Sequence, residues 1–365
     1  MIKQVKLKDV ASHSKGKQIN GDDLIENGTY DYLNGGINPS GKWNEYNTES
    51  DTVTISEGGN SSGYVNFMIN PFWCGAHCYY LYNLKTIPKY LYYALKSQEK
   101  RLMSLRTGAA MPNIKKSTLS EFTFQIDDNP NSQNQIVKIL DSVSNTILKK
   151  NQQLQEYDQL IKSRFVEMFG DISINSKSFD IKPFGDLCFK IGDGLHGTPL
   201  YDDKGNYYFI NGNNLGNDCI KITETTKKVN EEVFKKYYIQ FGENTVFLSI
   251  NGTLGNVALY NDEPIILGKS AAYCNLKPSL HIKFVAELFK TNKFKEYMLS
   301  NSSGTTITNF GLKAFRNYPM IVPPMILQTQ FTKFVEQVDK LKFVVQKSLD
   351  ETQKLFDSLM QEYFG

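Results

Sequence analysis

No stretch of this 365-residue chain approaches the apolar length needed to cross a bilayer, which excludes a helical membrane protein. Nor does the start, Met1 to Val10, hold the continuous apolar run of a secretory signal, because its lysines alternate with single apolar residues. The chain is therefore expected to stay in the cytoplasm. Cysteine is sparse: five, an odd number, are scattered at Cys74, Cys78, Cys188, Cys219 and Cys274. They make no disulfide framework, so free thiols in a reducing compartment are expected. A strong charge of one sign is missing too. The net charge of +3 neither demands nor excludes a polyanionic partner, and a chain holding a polyanion unaided would be more basic.

Catalytic and metal signatures are equally thin. His13 and His281 have no acid or nucleophile at a recognisable spacing, so nothing supports hydrolytic catalysis. Cys74, His77 and Cys78 suggest a metal, but a structural zinc site needs four ligands and no second pair stands nearby. The two cysteines read instead as small hydrophobes on a buried strand.

What is there is a globular composition, 40% hydrophobic and 22% charged, in a length that suits two domains. The chain also repeats itself. Leu160 to Gly170 reads LIKSRFVEMFG and Leu355 to Gly365 reads LFDSLMQEYFG, and at the same offset of 195 residues Gln135 falls on Gln330, Leu154 on Leu349 and Ser163 on Ser358. Upstream, with a one-residue slip, GAAMPNIKKSTLSEFTFQI from Gly108 lies against GTTITNFGLKAFRNYPMIV from Gly304. At the front, LKDV from Leu7 matches FGDL from Phe184, so the second half carries about 18 extra interior residues. Amphipathic helices resemble one another readily, but here a non-helical stretch matches as well.

From Gln133 to Phe169, Leu140, Ile147, Leu154, Ile161 and Met168 recur every seven residues, which predicts a coiled-coil seam. At roughly 1.5 Å per residue this helix would span about 55 Å. A second runs from about Ile326 to Tyr363 after Pro323-Pro324, with Phe331, Phe334, Val335, Val338, Leu341, Val345, Leu349, Leu355, Phe356 and Leu359 on its apolar stripe. Neither helix can bury such a face on one small domain, so the two are expected to pack on each other. Pseudo-twofold pairing makes them antiparallel, with a domain at either end. Leu140, Ile147, Leu154, Ile161, Val338, Val345, Leu349 and Leu359 are the expected packing residues. The remaining segments hold short β-branched and aromatic runs between Gly, Asn, Asp and Ser clusters, such as Asp51 to Ser56, Tyr207 to Ile210, Thr245 to Ile250 and Val257 to Tyr260, with shorter helices at Pro88 to Ser104 and Ile282 to Ser300. The fold class is α+β: two similar mixed α/β domains, 1–130 and 171–325, and two spacer helices, 131–170 and 326–365.

This order, a variable globule and then a long helix, twice over, resembles the specificity subunits of Type I restriction-modification systems. The resemblance covers essentially the whole chain. It is carried by YDYLNGGINPSGKWNEYN (Tyr30 to Asn47), SEGGNSSGYVNFMINPFWCGAHCYYL (Ser56 to Leu81) and RTGAAMPNI (Arg106 to Ile114) in the first half. In the second half it rests on IGDGLHGTPLY (Ile191 to Tyr201), FINGNNL (Phe209 to Leu215) and VFLSINGTLGNVAL (Val246 to Leu259). The double proline before the long helix is present at Pro323-Pro324 and replaced by Asp127-Asp128-Asn129-Pro130 in the first copy. The resemblance implies target-recognition domains that each read one half of a bipartite double-stranded DNA site, with the helices as a ruler for the gap. It also implies two partner methyltransferase subunits that carry S-adenosylmethionine and methylate adenine N6, and ATP-dependent restriction subunits that can join them. This chain would hold no cofactor or metal and perform no catalysis.

Reading base edges in the major groove needs amide, ammonium, guanidinium and hydroxyl groups on loops. In the first domain the candidates are Lys42, Asn44, Tyr46, Asn60, Ser61, Ser62, Asn113, Lys115 and Lys116. In the second they are His196, Thr198, Asn213, Asn214, Asn251, Thr253, Lys269, Asn309 and Lys313. Asn70-Pro71-Phe72-Trp73 resembles the Asn-Pro-Pro-aromatic motif of adenine methyltransferases, but the second proline is missing and no glycine-rich loop follows a strand to hold S-adenosylmethionine. It reads as a turn entering a strand. Two alternatives stay open at this point: a stand-alone DNA methyltransferase or nuclease with a fused reader, and a coiled-coil scaffold without a nucleic-acid role.

Overall fold

The computed structural model describes residues 2–108, 112–304 and 308–365; residues 109–111 and 305–307, which belong to the glycine-led repeat, lie outside the described residues. Two compact units are present: Met1–Gln152 with Gln346–Gly365, and Gln153–Val345.

In the first unit, Ser12–Lys15, Cys78–Tyr82, Thr52–Ser56 and Val65–Met68 lie side by side in that order, antiparallel throughout. Thr52–Ser56 is interior to this sheet and buried along its whole length, a setting that suits its β-branched run. A second sheet orders Gly41–Trp43, Tyr30–Leu33 and Phe72–Cys74, the last two parallel. The Asn70 to Trp73 segment is thus a bend entering a strand, as expected. Cys74 and Cys78 are buried; a hydrogen bond with Cys78 and burial push the Cys74 thiol far above its ordinary value, so it stays protonated.

The second unit repeats the topology strand for strand. Cys188–Asp193, Ala271–Leu276, Thr245–Ser249 and Val257–Leu259 make the four-stranded sheet, and Lys228–Val229, Tyr207–Ile210 and Ile265–Leu267 make the three-stranded one, with the same parallel pair. In each unit a separate antiparallel pair, Ile2–Lys6 with Thr123–Asp127 or Asp180–Pro183 with Pro319–Val322, leads into the long helix. The extra length of the second unit falls at two places. Residues 211–227, opposite 34–40, carry the hairpin Leu215–Gly216 with Cys219–Ile220; residues 230–244, opposite 44–51, carry the helix Glu231–Tyr237, whose first turn is capped by the Asn230 side chain. The hairpin is tied down by Asp218, which accepts from Lys290 at 2.7 Å. Lys290 also pairs with Glu287 at 2.6 Å, and burial still raises the Glu287 carboxyl above its usual range.

The long helices are Pro130–Phe169 and Met325–Phe364. The central one starts three residues before the expected Gln133. Proline at the first helical position needs no hydrogen-bonding N–H, and the Asn129 side chain caps it by accepting from the Asn131 amide at 2.9 Å. Each expected shorter helix is broken in two: Pro88–Ser97 with Glu99–Ser104, and Ile282–Lys290 with Asn292–Ser300. At the second break, the Thr291 hydroxyl accepts from the Phe294 amide and so starts a new helix.

The two long helices pack together within each unit. In the first, Ile136 and Leu140 share a core with Met360 and Phe364, and the Lys150 ammonium donates to the Ser348 carbonyl at 3.1 Å and the Thr352 hydroxyl at 2.9 Å. In the second, Phe165 and Phe169 pack on Phe331 with ring centroids 5.5 and 5.3 Å apart, and Lys342 pairs with Asp158 at 2.6 Å. Numbers rise along one helix as they fall along the other, so the pairing is antiparallel in both. Leu140, Ile161, Val338 and Leu349 are buried, while Ile147, Leu154, Val345 and Leu359 are half-buried. Leu341 and Leu355 depart from the expected stripe, at 50% and 51% exposed. A helix of 3.6 residues per turn drifts off a seven-residue seam, which carries such positions out to the side.

Candidate nucleic-acid interface

Each unit gathers the ends of its sheet strands into one edge, and the same backbone bonds hold both edges. A Cβ on Gly16 would lie 1.8 Å from the Cys74 carbonyl oxygen, and one on Gly194 would lie 2.0 Å from that of Leu267. Only glycine allows this crossing. Just beyond it, the Lys17 amide donates to Cys74 at 2.9 Å and the Leu195 amide to Leu267 at 2.7 Å. Gly75 donates to Leu33, and Gly268 to Ile210. Glu57 donates to the His77 carbonyl at 2.8 Å and receives from Ile114 at 2.9 Å; Ile250 donates to Ser270 at 3.0 Å and receives from Phe310 at 2.8 Å. Gly59 donates to Pro112, and Gly252 to Thr308, through turns in which both glycines take φ near +75°. Bridges Gly58 to Asn113 and Asn251 to Asn309 complete the match.

In the first unit the edge brings together Asn60, Ser61 and Asn113, with Lys115 and Lys116 exposed immediately after. Ser61 donates to the Gly35 carbonyl at 2.6 Å. Ser62 turns inward: it is fully buried, and its hydroxyl bonds the Gly59 and Pro112 carbonyls at 2.7 and 2.9 Å. The geometry gives Ser62 to the loop, which corrects its expected outward role. Lys42, Asn44 and Tyr46 lie outside the edge, on the outer strand and the bend after it, where Lys42 pairs with Asp31 at 3.3 Å and Tyr46 leans on Tyr30.

In the second unit the edge brings together His196, Asn213, Asn251, Thr253, Lys269 and Asn309; Thr198 stands two residues beyond His196, and Lys313 follows Asn309 on the helix Leu312–Arg316. Asn251 is half-buried and the others are exposed. Asn214 is tied into its loop: its side-chain carbonyl accepts from the Asn211 amide at 3.0 Å and its NH2 donates to the Lys221 carbonyl at 3.2 Å, which fixes the plane of the amide and leaves it a second N–H and a second lone pair.

Several edge residues escaped the sequence reading. The Glu57 side chain, 9% exposed, accepts from Lys15 at 2.8 Å and faces His77 Nδ1 at 3.2 Å. Arg106 donates to the Asn60 carbonyl. Ser270 receives the Gly212 amide at 2.9 Å and donates to the Asn211 side chain at 3.0 Å. Below the first edge, burial and then the Glu57 charge push the Tyr79 hydroxyl up to about 12, so it remains a donor to Ile114. The cue that could have pointed here was the pairing of Gly16 and Gly75 with Gly194 and Gly268 at matching places in the two halves. Exposed amides, hydroxyls and ammonium groups on a rigid backbone lattice are the equipment for contacting base edges and phosphates.

Known proteins align with this picture. The chain is 40% identical over 110 residues to a type I specificity subunit of Mycoplasma pneumoniae, a match covering 29% of each chain. It is 33% identical over 151 residues to one of Mycoplasma genitalium, covering 40% of this chain and 37% of the relative. The alignments thus span roughly three to four tenths of those curated relatives. The crystal structure of a Type I restriction-modification S subunit from M. genitalium superimposes with a TM-score of 0.65 at 22% identity, covering 100% of this chain and 96% of that one, which establishes the shared fold. The family model of the type I restriction modification DNA specificity domain matches residues 2–157 and again 177–351. With both halves matched, the chain belongs to the type I restriction-modification DNA specificity family.

Proposed function

We propose that this chain is the sequence-reading, non-catalytic subunit of a type I restriction-modification assembly. Each unit reads one half of a bipartite double-stranded DNA target, and the paired long helices set the unread gap. Two methyltransferase subunits carrying S-adenosylmethionine dock on the chain and methylate adenine N6; ATP-dependent restriction subunits join them to cleave unmodified DNA. The work takes place in the cytoplasm. The observation that carries this reading is the edge built twice on the same backbone bonds but furnished with different side chains, as in Lys15, Glu57 and His77 against Asp193, Ile250 and Ser270. One scaffold presenting two chemistries suits the reading of two unlike half-sites.

The test is a genome-wide map of N6-methyladenine in cells with and without the gene. A two-part motif that vanishes on deletion is expected; an unchanged map overturns the reading. Purified alone with S-adenosylmethionine and DNA, the chain is expected to transfer no methyl group.

A further inference from the structure

Both edges carry an exposed imidazole tied through one nitrogen to a carboxylate. In the first unit the His77 side chain, 54% exposed, places Nδ1 3.2 Å from Glu57, whose other oxygen accepts from Lys15 at 2.8 Å. In the second the His196 side chain, 69% exposed, places Nε2 2.7 Å from Asp193. The two devices are assembled from different positions. Asp193 stands where Lys15 stands, last on its strand before the crossing glycine, and Ser270 stands where His77 stands in the turn. The same arrangement thus arises twice by separate routes.

Resting on the reading above, we propose that His77 and His196 each read one base pair in the major groove, with Glu57 and Asp193 as positioning residues. A carboxylate only accepts, so the tied ring nitrogen must carry the hydrogen. In the uncharged ring the outward nitrogen is then a bare acceptor. An untethered uncharged histidine exchanges tautomers and offers either a donor or an acceptor; the carboxylate leaves the uncharged ring one tautomer, an outward acceptor with a fixed ring plane. The major-groove group that meets an acceptor is an exocyclic amino group, adenine N6 or cytosine N4. In the first unit Lys15 offsets the Glu57 charge, which would otherwise repel phosphates.

The experiment is selection from a randomised duplex library, at low salt, by the full-length chain as wild type, His77→Ala, Glu57→Gln and His196→Ala. Wild type is expected to select a two-part motif. His77→Ala loses roughly tenfold discrimination at one base pair of one half, and His196→Ala does the same in the other half. Glu57→Gln, whose amide can donate or accept, blurs the same position as His77→Ala. Non-specific affinity and the thermal midpoint of the two histidine variants stay at the wild-type values. A histidine variant that keeps the wild-type motif, or a Glu57→Gln change at another position, overturns this proposal alone. A wild-type chain that selects no sequence overturns the underlying reading and this proposal with it.

Discussion

The side-chain carbonyl of Gln328 accepts the amide hydrogen of His281 at 2.8 Å, while its NH2 donates to the Pro323 carbonyl at 2.8 Å and that of Ser279 at 3.1 Å. Gln133, at the 195-residue offset, does the same in the other unit, accepting from Ile87 at 3.0 Å and donating to Asp127 at 2.7 Å. His281 and Ile87 are the N-cap residues of Ile282–Lys290 and Pro88–Ser97. Each buried amide thus satisfies a helix-start donor and locks the long helix to its own unit, which is why the two halves enter their arms alike.

Gln133→Leu keeps the volume but takes this partner from the half-buried Ile87 amide and from the Asp127 carbonyl, a loss of about 2 kcal/mol. Both tryptophans, Trp43 and Trp73, lie in the first unit, so tryptophan fluorescence during urea unfolding reports that unit. A clear fall in the urea midpoint is expected; an unchanged midpoint would show that the clasp contributes nothing. Gln328→Leu is expected to speed amide hydrogen exchange over Ile282–Lys290.

Two glycines on the first edge should respond differently to one added methyl group. At Gly16 the new Cβ meets backbone, which cannot swing aside, so Gly16→Ala is expected to cost about 3 kcal/mol and to disturb the edge itself. At Gly59 nothing lies within 4 Å, and only the positive φ of 76° is strained, so Gly59→Ala is expected to cost about 1 kcal/mol. Equal costs, measured by the same fluorescence, would mean that the strand crossing relaxes freely.

The long helices were legible because Leu140, Leu154 and Leu349 sit on a period that local sequence displays directly. Their edges were less so. Phe343 and Val344 are 72% and 63% exposed, and hydrophobicity alone does not separate them from the buried Val335. The duplicated sheets could be inferred from paired strand patterns, but Lys228–Val229 and Gly41–Trp43 are too short to show a period. The edge was legible as a set of loops and not as residues. Glu57 meets His77 across 20 positions and Lys15 across 42, and such meetings depend on strand order. Ser62 had the right chemistry, yet the backbone of its own loop uses it, which the sequence does not display.

His13 supplies a pH dependence whose sign follows from its surroundings. Burial is the main cause that lowers its proton affinity in the folded chain, the Lys116 charge adds to it, and a hydrogen bond to the Lys116 carbonyl opposes both. With the folded value below the unfolded one of about 6.5, the unfolded chain takes up the proton first as pH falls. Stability from this residue is therefore fully present above about pH 6.5 and is lost below it. Urea midpoints of the first unit are expected to fall from pH 7 to pH 5, and His13→Asn is expected to flatten that fall. A dependence that persists unchanged in His13→Asn would assign it to another group.

Exposed ammonium groups and exposed amides on the two edges should leave different signatures in DNA binding. Lys115, Lys116 and Lys313 are exposed and follow Asn113 and Asn309 in the chain, and Lys269 is exposed in the turn before Ser270. A lysine on a phosphate displaces a condensed cation whatever the base sequence, so replacing it with alanine weakens all duplexes alike. It also reduces the slope of log affinity against log salt by about 0.9 for each phosphate that is no longer neutralised. An asparagine on a base edge releases no counterion; Asn309→Ala is expected to relax preference at one position by roughly tenfold and leave the slope alone. Anisotropy titrations of a labelled target duplex and a scrambled one, across roughly 50 to 200 mM salt, separate the two classes. Lysine variants that change preference while keeping the slope would move those residues from phosphate to base, because only a charge that releases a counterion can alter the salt term.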